Sequence, residues 1–219
     1  MKAADTKPRF ATHKTAALTL TEVLIVVAAL ALFAALFLPA LAASKRKSSK
    51  IGCVNDLRQV GISYRMWADD HYDKFPMQVS ITNDGAMELL VTGNAAACFS
   101  VMSNILDNPA ILICPSDANH YAASNFSTLR NSNISYFVGL HASSNSPQTW
   151  LSGDENLVVN GKRIQSGVLN LQNSDTLAWT KERHKGGGNI LLGDGSVQQT
   201  TSDDLTSMAR LTTNSLAIP

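Results

Sequence analysis

From Val23 to Ala43 no side chain carries a charge or a hydrogen-bonding group. At about 1.5 Å per residue this run is about 30 Å long as a helix, the thickness of one hydrocarbon core. A secretory signal peptide would need an apolar core of only about 7–15 residues before a small-residue cleavage site. Ala40-Leu41-Ala42 imitates such a site, but the run is too long, so the pattern predicts a retained anchor that crosses once. The period then changes. Cys53, Leu57, Val60, Tyr64 and Trp67 follow a 4-3-4-3 spacing, with Asn55, Asp56, Arg58, Gln59 and Arg65 mostly off the stripe. That is an amphipathic helix with one inward face. The two patterns join into one helix from about Leu18 to about Asp70, and Pro76 prevents its continuation.

Short helices are expected over Ala86–Val91 and Phe99–Leu106, and a short buried strand or extended segment over Ile111–Cys114, ended by Pro115. The remainder alternates as strands do. Ile134–Leu140 is rich in β-formers, and Thr176–Thr180 is a further strand. Asn160-Gly161 between Leu157–Val159 and Lys162–Ile164 predicts a tight hairpin, as does Gly193-Asp194-Gly195 between Asn189–Leu192 and Ser196–Thr200. Ser143–Pro147 is a surface loop. Ser202, with Asp203 and Asp204 behind it, predicts a capped helix to about Thr212, followed by a loose tail. One long helix followed by strands gives an α+β class.

Composition adds little. The chain has 219 residues, 45% of them hydrophobic, and a formal charge of +1. That suits one ordinary domain plus an anchor. It gives no electrostatic case for nucleic acid, and no basic-aromatic patch supports one. Lys2, Lys7, Arg9 and Lys14 precede the span while Lys45, Arg46, Lys47 and Lys50 follow it. The flanks are balanced, so the positive-inside rule does not orient the helix.

Glu22 is the exception within the apolar segment. At the edge of a span a carboxylate reaches the headgroups at little cost. Deeper in an apolar layer it needs a cation, and the nearest, Lys14, is two helical turns away. Proteolysis before Leu18 would create an amine at i−4 to Glu22, on the same helix face, or available to a neighbouring chain.

A basic leader, a small residue, then Leu18-Thr19-Leu20-Thr21-Glu22 opening a long apolar helix resembles the cleavage site of type IV prepilins and type II secretion pseudopilins. The family more often has glycine where Ala17 stands and phenylalanine where Leu18 stands. The resemblance implies cutting between Ala17 and Leu18 by prepilin peptidase, N-methylation of Leu18, and an assembly charge at Glu22. It also implies a cytoplasmic N-terminus, and Pro39 falls where these helices often carry a proline. Physically, Pro39 removes a donor and frees the carbonyl of Ala35, which predicts a kink or loosening of the helix there. The stretch CVNDLRQVGISYRMWADDHYDKFP resembles the family's second half-helix. The implied fold is pilin-like, a long helix packed on an antiparallel sheet. Residues 1–17 are the leader, 18–43 the membrane half of the helix and 44–219 the globular domain.

A second signature lies at the other end. In HKGGGNILLGDG nine residues separate His184 from Asp194, and Gly195 follows. This His-x9-Asp-Gly spacing resembles the C-terminal signature of a large family of prepilin-like bacterial proteins. NISYFVGL, SGDENL and DGSVQQ resemble its neighbouring segments, so the likeness covers nearly all of the chain after the leader. Residue chemistry favours a structural role. Gly195 suits a positive φ, Asp194 can accept backbone hydrogen bonds in the turn, and His184 can bond back onto the hairpin.

Catalytic alternatives are weak. Ser196, His184 and Asp194 could be drawn as a triad, but no nucleophile elbow or oxyanion-hole motif accompanies them. The glycine triplet lacks the Lys-Ser/Thr of a P-loop. No enzyme and no required cofactor are expected. Calcium is the remaining option, with Asp154 and Asp194 as oxygen ligands and little use for His184. His13, His71, His120 and His141 show no metal-ligand spacing.

Three cysteines, Cys53, Cys98 and Cys114, allow three single pairings. Cys53 lies on the inward stripe and Cys114 ends an apolar segment. Both also match recurring cysteines of the family, which favours Cys53–Cys114, with Cys98–Cys114 next and unpaired thiols as the remaining option.

The expected function is a pseudopilin-like structural subunit of a type II secretion or pilus-related filament. It would be single-pass in the inner membrane, with its C-terminal domain periplasmic or extracellular. Its partners would be other pilin-like subunits, prepilin peptidase and an assembly platform. The alternative is a singly anchored ligand-binding module that never polymerises, with Trp150 and Trp179 as the natural stacking residues, although core packing is the commoner use of either.

Overall fold

A computed structural model describes residues 19–211 and 215–219. The expected leader, residues 1–17, and the expected cleavage site at Ala17 and Leu18 lie outside the described residues. The chain divides into two compact units, residues 1–44 and 45–219. Helix α1 (Leu20–Asp69) contributes to both and runs through position 39 without a break.

In the first unit, every described side chain from Leu20 to Leu38 is exposed. Leu24 is 66% exposed, Leu32 69% and Leu36 73%, so no face is reserved for a protein core. A helix apolar on all sides belongs in lipid or inside a larger protein. Leu20–Leu38 is long and apolar enough to cross a membrane once.

The second unit is α+β. The stripe on α1 is the one read from the sequence: Cys53, Leu57, Val60, Tyr64 and Trp67 are all buried. The helix ends at Asp69, where Tyr72 and Asp73 take left-handed backbone and Pro76 opens a 3-10 turn, Pro76–Gln78. Three short helices follow: α2 (Met87–Leu90), α3 (Ala95–Val101) and α4 (Ser103–Leu106).

The strands are β1 (Tyr136–Gly139), β2 (Trp150–Asp154), β3 (Leu157–Val159), β4 (Lys162–Arg163), β5 (Gly167–Asn170), β6 (Leu177–Trp179), β7 (Gly188–Leu192), β8 (Val197–Thr200) and β9 (Ser215–Ile218). They form a six-stranded sheet, β5-β9-β1-β2-β7-β8, and a three-stranded sheet, β4-β3-β6. Every pairing is antiparallel. Alternation sorts the large sheet's two faces. Tyr136, Val138, Leu151, Leu191 and Ala217 join the core beneath α1. Phe137, Trp150, Ile190, Leu192, Leu216 and Ile218 join a second core with the small sheet and with Leu205 of α5 (Ser202–Leu211). Three layers result, with the large sheet in the middle. Gly61 permits close contact between α1 and the sheet, since a Cβ there would lie 2.8 Å from Leu191 Cδ1.

Three expectations are corrected. In place of a strand or extended segment over Ile111–Cys114 there is a 3-10 turn, Pro109–Leu112, capped by Asn108, with Ile113 extended after it; Pro109 starts the turn and Asn108 Oδ1 accepts from Ala110 N–H. The end of the chain is not a loose tail: β9 lies between β5 and β1. Its sequence, SLAI, is short and follows a helix, which conceals a strand whose stability comes from two neighbours. The cap of α5 is Thr201, not Ser202, since Thr201 and Asp204 bond reciprocally. Trp150 and Trp179 are packed in the core, the use expected of either ahead of ligand stacking.

Asp56, half-buried on α1, has its pKa raised to about 6 by burial. The folded state therefore holds a proton that the unfolded chain, with an ordinary Asp near 4, has released. Stability falls as pH rises from about 4 to about 6 and stays lower above that. Asp56→Asn should therefore stabilise the unit at pH 8 by on the order of 1 kcal/mol once partial exposure is allowed for, raising its unfolding temperature. At pH 4 the gain should vanish, as parallel melts would show.

Candidate functional site

At the start of α1, Thr19 and Glu22 close a capping box. The Glu22 carboxylate accepts from Thr19 N–H (2.8 Å) and Oγ1–H (2.9 Å), and Thr19 Oγ1 accepts from Glu22 N–H (3.3 Å). Glu22 thus has a local partner as well as any it finds in an assembly. The signal was in the sequence, because Thr-x-x-Glu before an apolar run is the capping-box pattern.

The His-x9-Asp-Gly signature resolves into the two ends of β7. His184 sits in a left-handed turn before the strand, with Lys185 and Gly186 also at positive φ. Asp194 and Gly195 sit in the turn after it. There Asp194 Oδ1 accepts from Ser196 N–H (2.8 Å), and Gly195 has φ +83°. Hydrogen bonds from Ser196 hold the Asp194 carboxyl below its usual range. Arg65 of α1 donates to the carbonyl of Gly193 (3.1 Å), fixing this turn to the helix. The nine-residue spacer is therefore mainly the strand. His184 and Asp194 lie at opposite ends of it, so the Ser196–His184–Asp194 triad is not assembled.

At its own end His184 joins a buried group. Cys53 and Cys114 are bonded as a disulfide, S–S 2.00 Å. His184 Nε2 lies 3.3 Å from Cys114 Sγ and 3.4 Å from Asp154 Oδ2. Asp154, at the end of β2, accepts from Asn189 N–H and Nδ2–H, each at 2.8 Å. Asp154 Oδ1 and His184 Nδ1 are buried without a hydrogen-bond partner among the described residues. Asp154 and Asp194, paired above as calcium ligands, are separated, because Asp194 is exposed at the far end of β7. The third cysteine, Cys98, is buried against the Tyr64 hydroxyl at 3.2 Å, and burial pushes its thiol up to about 12. It is unreactive at neutral pH.

Beside His184, Arg183 enters a second cluster that the sequence did not reveal. Its guanidinium donates to Asp117 and to Glu155 (2.7 Å). His120 Nδ1 lies 2.8 Å from Asp117 and 3.2 Å from Glu155. Ser135 Oγ–H donates to Asp117 (2.7 Å). Burial pushes Asp117 up, but bonds from Ser135 and Asn119 N–H, with Arg183 and His120 alongside, outweigh it and leave the pKa lowered. For Glu155 burial prevails over Arg183 and His120, and its pKa is raised. His120, Glu155 and Arg183 border a cavity of about 240 Å3 that Asn156, Thr180 and Glu182 also line. No fixed sequence spacing announces this cluster, since Asp117, Glu155 and Arg183 come from three separate segments.

Comparison with protein-family models, with curated proteins and with solved structures returns no match for this chain.

Proposed function

We propose that this chain is a pilin-like structural subunit, processed before Leu18 and assembled into a membrane-rooted filament of the secretion or pilus type. One observation carries the reading. A helix apolar on every face over Leu20–Leu38 continues into a helix whose single buried stripe packs on an antiparallel sheet. Such a subunit can leave the bilayer only by exchanging lipid for other helices of the same kind, because none of the described residues covers this apolar surface. Glu22, at the first turn, is the charge such stacking must neutralise, and a new amine on Leu18 of a neighbour would do so. The work is mechanical, with prepilin peptidase and an assembly platform as partners, the N-terminus cytoplasmic and the globular unit outside the inner membrane.

The test begins with intact mass and N-terminal sequencing of membrane-extracted protein. A methylated chain beginning at Leu18 is expected. A chain beginning near Ala43 would return the span to a secretory signal. In co-purification with tagged wild-type subunits, Glu22→Val should lose assembly. Unchanged assembly would favour a singly anchored module that does not polymerise.

A further inference from the structure

We propose that the reduced chain binds one zinc-like, thiophilic divalent cation through Cys53, Cys114 and His184, with Asp154 as the fourth ligand. The site and the disulfide would be alternative states of one staple.

The argument is geometric. Zinc binds thiolate sulfur at about 2.3 Å, imidazole nitrogen at about 2.0–2.1 Å and carboxylate oxygen at about 2.0–2.2 Å, tetrahedrally. A tetrahedron with those arms has nitrogen–sulfur and nitrogen–oxygen edges of about 3.3–3.6 Å. His184 Nε2 already lies 3.3 Å from Cys114 Sγ, and the Asp154 carboxylate stands beside it, with the Asn189-bonded Oδ2 at 3.4 Å and Oδ1 free to ligate. The Cys53, Cys114 and His184 ligand atoms all fall within 4.8 Å of one another. Two kinds of edge do not match: the one between the sulfurs, which the covalent bond shortens and which reduction releases, and those from Asp154, which lies outside the group within 4.8 Å and must approach the ion by side-chain rotation.

The surroundings also suit a cation. Asp154 is fully buried, yet among the described residues its Oδ1 accepts no hydrogen bond. A buried carboxylate with an unused oxygen costs free energy until a proton or a cation reaches it. Asn189 holds the other oxygen by two hydrogen bonds, an outer-shell arrangement that orients a carboxylate ligand. Two sulfurs, an imidazole and one carboxylate suit zinc and do not suit calcium, which takes several oxygens.

The chemistry balances. A dithiol reductant supplies two electrons and two protons, closes into its own cyclic disulfide, and leaves Cys53 and Cys114 as thiols. Zinc then binds both thiolates, and their two protons pass to solvent. A disulfide oxidant reverses the sequence: it takes up the two electrons, and two protons from solvent, as its own dithiol, the Cys53–Cys114 bond re-forms and the ion is expelled. In either state α1 remains tied to the segment after Pro109–Leu112, so the unit would hold its fold before oxidation as well as after it.

The experiment uses the full chain in detergent micelles, reduced with a phosphine, which competes less for metal than a dithiol. Cobalt(II) is the spectroscopic probe and zinc the competitor. The reduced wild type should bind one equivalent of cobalt, with thiolate charge-transfer absorption and the visible bands of a tetrahedral ion, and zinc should displace it. The oxidised chain should bind none. His184→Ala and Asp154→Asn should each weaken binding at least about tenfold, on the scale of lost ligands and outer-shell partners, while Cys98→Ser should change nothing. Circular dichroism follows the fold throughout. If reduction alone unfolds the chain, zinc should restore it. Three results would each overturn the proposal: cobalt binding no better than that of the Cys53→Ser, Cys114→Ser double variant, a His184→Ala chain with unchanged spectrum and affinity, or a reduced, unfolded chain that zinc does not rescue.

Discussion

Replacing Cys53 and Cys114 together by alanine should destabilise the 45–219 unit by about 4 kcal/mol under oxidising conditions. The bond spans a sequence separation of 61 residues. In the chain-entropy account a loop of that size, opened in the unfolded state, corresponds to about 4 kcal/mol at 25 °C. The loop contains most of α1's buried stripe and all three short helices. Without the bond, the segment around Cys114 would be held mainly by the Leu112 and Asp117 contacts. Trp67, Trp150 and Trp179 are all buried in this unit, so fluorescence reports its unfolding. For a unit of this size the change corresponds to a melting-temperature drop of about 10 °C or more. A drop of only a degree or two would mean that the unfolded chain is already compact around these residues.

Arg183→Met should cost about 3–5 kcal/mol at pH 7, because removing one member of a buried ionic group leaves the others uncompensated. Arg183 is 4% exposed and is the cation shared by Asp117 and Glu155. The pH dependence distinguishes charge from packing. Asp117 has a lowered pKa, so its favourable contribution is present above the unfolded value and is lost as pH falls through the folded one. Glu155 has a raised pKa, so its ionisation already works against the fold as pH rises past the unfolded value. Without the guanidinium both carboxyls move upward, and both are neutral in acid. The gap between wild type and variant should therefore be widest at and above pH 7 and narrow toward pH 4. A gap that stays constant with pH would mean that the side chain contributes by packing alone.

Local signals read well here. The hairpin at Asn160-Gly161 forms with φ 50° and 76°, the left-handed pair that such a turn requires, and it sets Val159 opposite Lys162. The stripe on α1 was legible because a helix repeats its inward face every three or four residues. The strand β2 was not seen. It is buried at every position, WLSGD, and so shows no alternation. Its Gly153 faces the Phe137 ring so closely that a Cβ would lie 2.8 Å away, a requirement only the packed neighbour imposes. The strand β9 was missed for a related reason, since it is defined by β1 and β5 rather than by its own four residues.

The site divides in the same way. Glu22, Cys53, Cys114 and His184 could be singled out from the sequence, because each breaks a local pattern or belongs to a spaced motif. What the sequence by itself determined is what depends on near neighbours along the chain: the apolar length of the span, the period of the amphipathic helix, the turns and the caps. Only the tertiary structure decided that His184 meets Cys114 and Asp154 while Asp194 turns away, and that Arg183 gathers two carboxylates from distant segments. Those contacts span from about thirty to seventy residues of chain and arise when strands and loops pack. No local propensity encodes such distances, because loop closure leaves the choice of partner to the burial that follows it.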